Sequence, residues 1–260
     1  MAYKPKYNKS NKLGNDVYPD IMNTMLAEAS GWLDSHKLEE VPARINGLVA
    51  AYEDWRTKEC INLIASENIL SPTAKALFGT DFASRTAQAY IGARMYKGYD
   101  LLDPIEALVM QMAKKLYGAN FVDHRATSGA AANAIAFNAF TNVGDVIMAD
   151  TVPAGAHISY REYGIAGFHG LKVVDIPFDE KNYSVDMAAF RNVVKAVRPK
   201  LVVIGGSVIL FPYPTKEIKA ICDEVGSLLM YDTAHVMGLV GQGVFEDPLA
   251  TGADVMSGST

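Results

Sequence analysis

Leu228-Leu229-Met230-Tyr231-Asp232-Thr233-Ala234-His235 is an apolar run that ends on a carboxylate, three residues before a histidine. Four consecutive apolar residues bounded by polar ones predict a strand buried on both faces. Working outward, the pattern recurs at Val146–Ala149, Lys172–Ile176, Leu201–Ile204 and Asp254–Ser257. Segments of helical length lie between, at about Ala156–Ala166, Val185–Val197 and Thr215–Val225. Strands separated by helices indicate βαβ crossovers and a mostly parallel sheet flanked by helices, an α/β fold. Ligands of such sheets bind at the carboxyl ends of the strands. That places Asp232 at the expected crevice.

Upstream, Gly118 closes a helix expected over roughly Pro104–Tyr117, and Ser128-Gly129 opens another over Ala130–Asn142. Residues 63–104 are rich in Ser, Gly, Tyr and Asp and show little periodicity. Loops of that length inside a compact chain are usually functional or poorly ordered. Two amphipathic helices precede them, from Asp20 to about Ser35 and from Val41 to Lys58. Their apolar residues recur at helical spacing and need a surface to pack on, in the same chain or in a partner subunit. No repeat or low-complexity tract stands out.

The chain has 260 residues, of which half are hydrophobic, and a net charge of −5. That suffices for one large domain plus an N-terminal arm. No long basic run is present, which argues against nucleic acid as a partner. Lys4, Lys6, Lys9 and Lys12 read as a solvated tip. The two cysteines, Cys60 and Cys222, make neither a disulfide framework nor a CxxC pair. A reduced, cytoplasmic location is therefore expected. No apolar run reaches membrane-spanning length and no signal-peptide core precedes the helices, so no membrane partner is expected.

Five motifs could carry chemistry, and each has a plain structural alternative. Asp232 at a strand end is the residue type that pairs with a protonated pyridine nitrogen and keeps that ring an electron sink; it could equally form an Asx-turn or cap. A metal at Asp232 and His235 is disfavoured, since no third ligand lies nearby. Ser128-Gly129-Ala130-Ala131-Ala132-Asn133 could cradle a phosphate on a helix N-terminus, or be a Ser N-cap before an alanine-rich helix. His157, after Pro153-Ala154-Gly155-Ala156, could stack on a flat ring, or be a locally satisfied polar residue. Leu63-Ile64-Ala65-Ser66-Glu67-Asn68 could be a binding element, or simply a strand end or helix start. Tyr90 to Tyr99, with Arg94 and Tyr96 among Gly hinges, could reach a carboxylate or form a subunit contact.

Taken together, in identity, order and spacing, these motifs resemble serine hydroxymethyltransferase, a family of fold-type I pyridoxal-phosphate enzymes. The resemblance runs from about Ile61 to Thr260. It implies an N-terminal helical arm over 1–60 and an incomplete large domain over 61–260 that binds pyridoxal 5'-phosphate, with the small C-terminal domain absent. It assigns Ser66 and Glu67, in an element similar to the family's LIASEN, to the substrate. Tyr96, together with Arg94, resembles a Tyr-rich segment that enters the partner's site across a homodimer interface, so Tyr96 is expected to bind substrate and serve catalysis. Ser128, Gly129 and Ala130 resemble the phosphate cradle. His157 falls where the family stacks a histidine on the cofactor, and Ser207 where a serine contacts it. Asp232 and His235 resemble the Asp-x-Ala-His element, with Asp on the pyridine nitrogen and His near a cofactor oxygen. His157, Asp232, His235 and Tyr96 are thus the expected catalytic residues, and Thr260 belongs to the cofactor-binding run Ser257-Gly258-Ser259-Thr260.

The chain departs from the family pattern at several places. Gln88 stands where the family has a glutamate expected to handle protons in the folate-dependent reaction, and Thr86 where it has a tyrosine. A glutamine hydrogen-bonds but does not exchange a proton as a carboxyl does. Ala130 replaces the second cradle serine, Val208-Ile209-Leu210-Phe211-Pro212 replaces a more polar run, and the arm before Leu63 is longer. The resemblance also places His and Lys directly after Thr260, so the chain is expected to stop just short of the cofactor lysine and to be inactive as it stands. The implied activity is one-carbon chemistry on serine and glycine, a transferase breaking or forming the Cα–Cβ bond of β-hydroxy amino acids, with tetrahydrofolate an open question. Alternatives are a folate-independent threonine aldolase or transaldolase, and a non-catalytic interaction protein retaining the fold.

Overall fold

The computed structural model describes residues 18–64 and 67–259. The chain forms two compact units that divide between Ile64 and Ala65. The first holds α1 (Tyr18–Ser35) and α2 (Val41–Lys58). Pro42 sits in the first turn of α2, where its missing N–H is not needed, and Arg56 and Lys58 complement the dipole in its last turn. Met22, Met25, Leu26 and Leu33 of α1 and Ile45, Leu48, Val49 and Tyr52 of α2 are exposed.

The second unit begins with α3 (Pro72–Leu77), the hairpin β1 (Ala89–Tyr90) and β2 (Ala93–Arg94), α4 (Leu102–Tyr117) and α5 (Gly129–Phe140). It continues through β3 (Val146–Ala149), α6 (Ile165–Phe168), β4 (Lys172–Asp175), the hairpin β5 (Phe178–Asp179) and β6 (Ser184–Val185), and α7 (Met187–Val197). It closes with β7 (Leu201–Gly205), α8 (Thr215–Val225), β8 (Leu228–Asp232), α9 (Met237–Gly241) and β9 (Val255–Ser257).

Strands β4, β3, β7, β8 and β9 form one sheet in that order, and all four pairings are parallel. The expected α/β architecture is borne out. Alternate strand residues point to opposite faces, and each face has its own core. Val202, Ile204, Leu229 and Tyr231 pack with Phe190 and Val194 of α7 and with Ile218, Ile221 and Cys222 of α8. Ile147, Ala149, Leu201, Val203 and Met230 pack with Ala136 and Phe137 of α5 and with Ala166 of α6. Fully burying one such Leu, Ile or Phe contributes about 1.5–3 kcal/mol. The register sets Gly205 beside Asp232 and Asp232 beside Ser257, so the carboxyl ends of β7, β8 and β9 are level.

The helix expected over Ala156–Ala166 does not form. His157 instead caps a short 3-10 turn, Ile158–Tyr160, and the chain folds back before α6. Gly164, at φ −114 and ψ −151, breaks the helical path, and the fold-back sets it where a Cβ would stand 2.0 Å from the Ile158 carbonyl oxygen; Gly167, just beyond the expected helix, is packed likewise, a Cβ there standing 1.7 Å from the Glu162 oxygen. The hairpin of β5 and β6 occupies the start of the segment expected as a helix from Val185; Asp186 then caps α7 by accepting from the Ala188 and Ala189 amides. Among the described residues, no helix is long and apolar enough to cross a membrane.

Candidate active site

Asp232 is the last residue of β8 and only 3 % exposed. Its carboxylate accepts from two donors: the Ala234 amide at 3.0 Å on Oδ1, and Asn133 Nδ2 at 2.8 Å on Oδ2. Asn133 projects from α5, packed over the same end of the sheet, and is itself buried. Its Nδ2 also lies 2.9 Å from Ser159 Oγ, and its Oδ1 accepts from Ser257 Oγ at 2.7 Å. Ser159 Oγ in turn lies 2.9 Å from His157 Nδ1. One polar network therefore joins the ends of β8 and β9, the middle of α5 and the turn after β3. Thr233 braces it by donating both its amide and its hydroxyl to the Ser257 carbonyl, each at 2.8 Å.

The start of α5 converges on the same place. A Cβ on Gly129 would stand 3.5 Å from Ala234 Cβ and 3.7 Å from Ser259 Cβ. Ser128 is the N-cap, its Oγ accepting from the Ala131 amide at 3.1 Å. This is the plain reading of that motif. It leaves the Gly129 and Ala130 N–H groups, as first-turn donors, without intrahelical acceptors and suited to an anion. His235 follows Asp232 by three positions, and its Nδ1 is buried with no hydrogen-bond partner among the described residues.

Ser207 lies beside the His157 turn. Its amide and that of Val208 donate to the Gly155 carbonyl at 2.8 and 3.0 Å. Gly155 takes φ +105, and a Cβ there would meet the Val208 oxygen at 2.3 Å, so the approach of the two loops requires glycine. The same two loops, with Phe178, Tyr183 and Tyr213, line an apolar recess that contains none of Asp232, His157 or Ser128.

Other expected site residues stand apart. Tyr96 is 53 % exposed and outside the network. Two residues before it, Arg94 is held by Asp103 at 2.8 Å and Glu106 at 2.6 Å, so it is a clamp between hairpin and α4. Glu67 and Gln88 are exposed, and the Gln88 carbonyl accepts from the Met95 amide. Ser66 and Thr260 lie outside the described residues.

Three members of the network, Asn133, Ser159 and Ser257, have no individual role in the sequence reading, although Asn133 and Ser257 each fall inside a quoted motif. Asn133 does leave a trace, as the one polar residue between Ala130 and Phe137. A buried asparagine in such a setting needs partners.

Comparison with known proteins meets this geometry. The family model described as Serine hydroxymethyltransferase matches residues 38–260. A serine hydroxymethyltransferase of Archaeoglobus fulgidus is 43% identical over 203 residues, which cover 78% of this chain and 46% of that protein. That of Metallosphaera sedula is 42% identical over 213 residues, covering 82% and 49%. That of Methanothermobacter marburgensis is 40% identical over 222 residues, covering 85% and 52%. The chain thus spans about half the length of the curated relatives it matches. Since the family match takes in every element from α2 to β9, the chain belongs to the serine hydroxymethyltransferase family.

Proposed function

We propose that the protein binds pyridoxal 5'-phosphate and acts on the Cα–Cβ bond of β-hydroxy amino acids, interconverting serine and glycine. The carrying observation is Asp232. It is a buried carboxylate at the strand end where such sheets bind ligands, with two N–H donors and lone pairs left over. That spare capacity suits a pyridine N–H. The free amides at the start of α5 suit the phosphate, and the orphaned Nδ1 of His235 suits a further polar atom of the cofactor. His157, fixed through Ser159, is the candidate to cover the ring, and Ser207 to touch it. When bound, the cofactor supplies the electron sink for bond cleavage. Asp232 holds the pyridine proton there; the network keeps water away from that carboxylate and fixes its orientation.

In this reading Ser66, Glu67 and Tyr96 belong to the amino-acid substrate. The protein works as a cytoplasmic homodimer that covers Ile105, Leu108, Val109, Met112 and Leu116, all exposed on α4. A second reading, aldol cleavage of threonine-like substrates without folate, is favoured by Gln88, whose amide does not shuttle protons as a carboxyl does. The test is cofactor titration followed by absorbance, then borohydride reduction and intact-mass measurement. In protein that continues past Thr260 to the expected lysine, a covalent pyridoxyl adduct that fails to form in Asp232→Ala supports the site. Serine turnover that needs tetrahydrofolate selects the first reading, and threonine cleavage indifferent to it selects the second. No cofactor uptake overturns both.

A further inference from the structure

Three polar side chains meet around Asn133, with His157 one bond further on, and the hydrogens can be placed by elimination. A carboxylate only accepts, so the amide nitrogen of Asn133, not its oxygen, faces Asp232. The amide oxygen then accepts from the Ser257 hydroxyl. The second Nδ2 hydrogen goes to Ser159 Oγ. With its oxygen occupied as an acceptor, Ser159 has its own hydroxyl hydrogen to give, and His157 Nδ1 lies 2.9 Å away. The Ser159 amide donates to the same nitrogen at 3.2 Å. Two donors therefore converge on His157 Nδ1, which can only be the bare nitrogen of the ring. The proton of the neutral imidazole is left on Nε2.

We propose that Asn133 is a positioning residue, the branch point of a relay that gives one hydrogen to Asp232 and directs the other through Ser159 to hold His157 as its Nε2–H tautomer. The two side chains with the largest expected roles toward the cofactor are thereby set by one amide. Significance for catalysis rests on the proposed cofactor reading; the tautomer itself does not, and it is measured without cofactor.

The experiment is long-range 1H–15N correlation on protein labelled with 15N-histidine, above pH 8, with His157 identified by the signals lost in His157→Gln. The parent shows a protonated Nε2 and a bare Nδ1. Asn133→Leu and Ser159→Ala each remove one strong donor from the chain of bonds and raise the Nδ1–H fraction about fivefold, the worth of one neutral hydrogen bond. Ser159→Thr, which keeps the hydroxyl, restores the parent pattern. Ser257→Ala removes a donor to Asn133 but none toward His157, and leaves the tautomer unchanged. An Nδ1–H tautomer in the parent overturns the proposal. So does a parental pattern in either Asn133→Leu or Ser159→Ala when circular dichroism shows that variant folded. A change in Ser257→Ala as large as in Ser159→Ala marks general loosening and also overturns it. Should Asn133→Leu fail to fold, Ser159→Ala and Ser257→Ala decide. Failure to bind pyridoxal phosphate alters none of these signals, so the two readings fail separately.

Discussion

The Tyr213 hydroxyl donates to Asp150 Oδ2 across 2.8 Å, while the other carboxylate oxygen, Oδ1, is buried and meets no donor among the described residues. Asp150 follows β3 and is 1 % exposed. Burial pushes its carboxyl up from 3.8 to about 7, against the opposing pull of the Tyr213 hydrogen bond and the Arg161 charge. Between about pH 4 and pH 7 the folded protein thus keeps a proton that the unfolded chain has lost. This group makes stability fall as pH rises, by at most about 1.4 kcal/mol per unit. Asp150→Asn keeps an acceptor for Tyr213 and cannot ionise. Urea unfolding at pH 5, 6.5 and 8 should find the variant gaining on the parent as pH rises, by about 3 kcal/mol between pH 5 and pH 8. Parallel curves would remove Asp150 from the account.

Gly155 and Gly118 both take left-handed backbone, at φ +105 and +62, but only one is crowded. A Cβ at Gly118 meets nothing within 4 Å, whereas at Gly155 it strikes the Val208 carbonyl oxygen at 2.3 Å. Gly118→Ala should cost about 1 kcal/mol from backbone strain alone. Gly155→Ala should cost about 3 kcal/mol and should also weaken cofactor uptake, because the Ser207 and His157 loops are tied through the Gly155 carbonyl. Equal losses in thermal unfolding would show that the loop contact is unimportant.

Arg94 holds its hairpin with four bonds: Nε to Asp103, one terminal nitrogen to Glu106, and the other to the Ala87 and Ala89 carbonyls. Ala89 sits at φ +77, a strained position for a residue with a Cβ, and the guanidinium grips its carbonyl. Lysine cannot reproduce that fork. Both Arg94→Lys and Arg94→Ala should speed amide exchange at Gly92, which donates to Asp103, and at Met95, which donates to Gln88. The alanine variant should exchange faster still. Ala89→Gly should relieve the strain and raise the melting temperature; a lower one would mean the turn does not need that backbone freedom.

What can be read in advance follows from the range of each signal. β7 and β8 are buried on both faces, so each is a continuous apolar run, and α8 begins and ends where its pattern does. The turn at His157 reads as a helix because the segment between two strands has helical length, while the close backbone approach that requires Gly164 is set by the fold-back and not by local spacing. The hairpin from Phe178 to Val185 has strands of two residues, too short for any period to register. Asp232 is legible as a strand-end carboxylate, but its partner Asn133 is 99 positions away, and only the packing of α5 on the sheet brings them together. Likewise Arg94 reads as a free anion-binder, because Asp103 and Glu106 reach it only when α4 turns back beside the hairpin.

Asp232 also tests how an amide differs from a carboxylate when every donor is fixed. Oδ1 accepts from the Ala234 amide and Oδ2 from Asn133 Nδ2. In Asp232→Asn one of these sites becomes an NH2, which must face an N–H donor whichever way the amide turns. That leaves a buried donor unpaired and should cost about 1–3 kcal/mol even with no cofactor present. The reciprocal change, Asn133→Asp, puts two carboxylates side by side and should cost more. Combined, the two restore a donor facing an acceptor. The amide now on β8 would give its hydrogen to the carboxylate now on α5, which still accepts from Ser257, while Ser159 loses only its incoming bond. The double variant should therefore be more stable than the sum of the single losses by about 1–3 kcal/mol in a double-mutant cycle of urea unfolding. Cofactor uptake should not recover with it, because the carboxylate would now sit on α5 rather than at the end of β8. Additive losses would mean that the 2.8 Å contact contributes no coupling of its own.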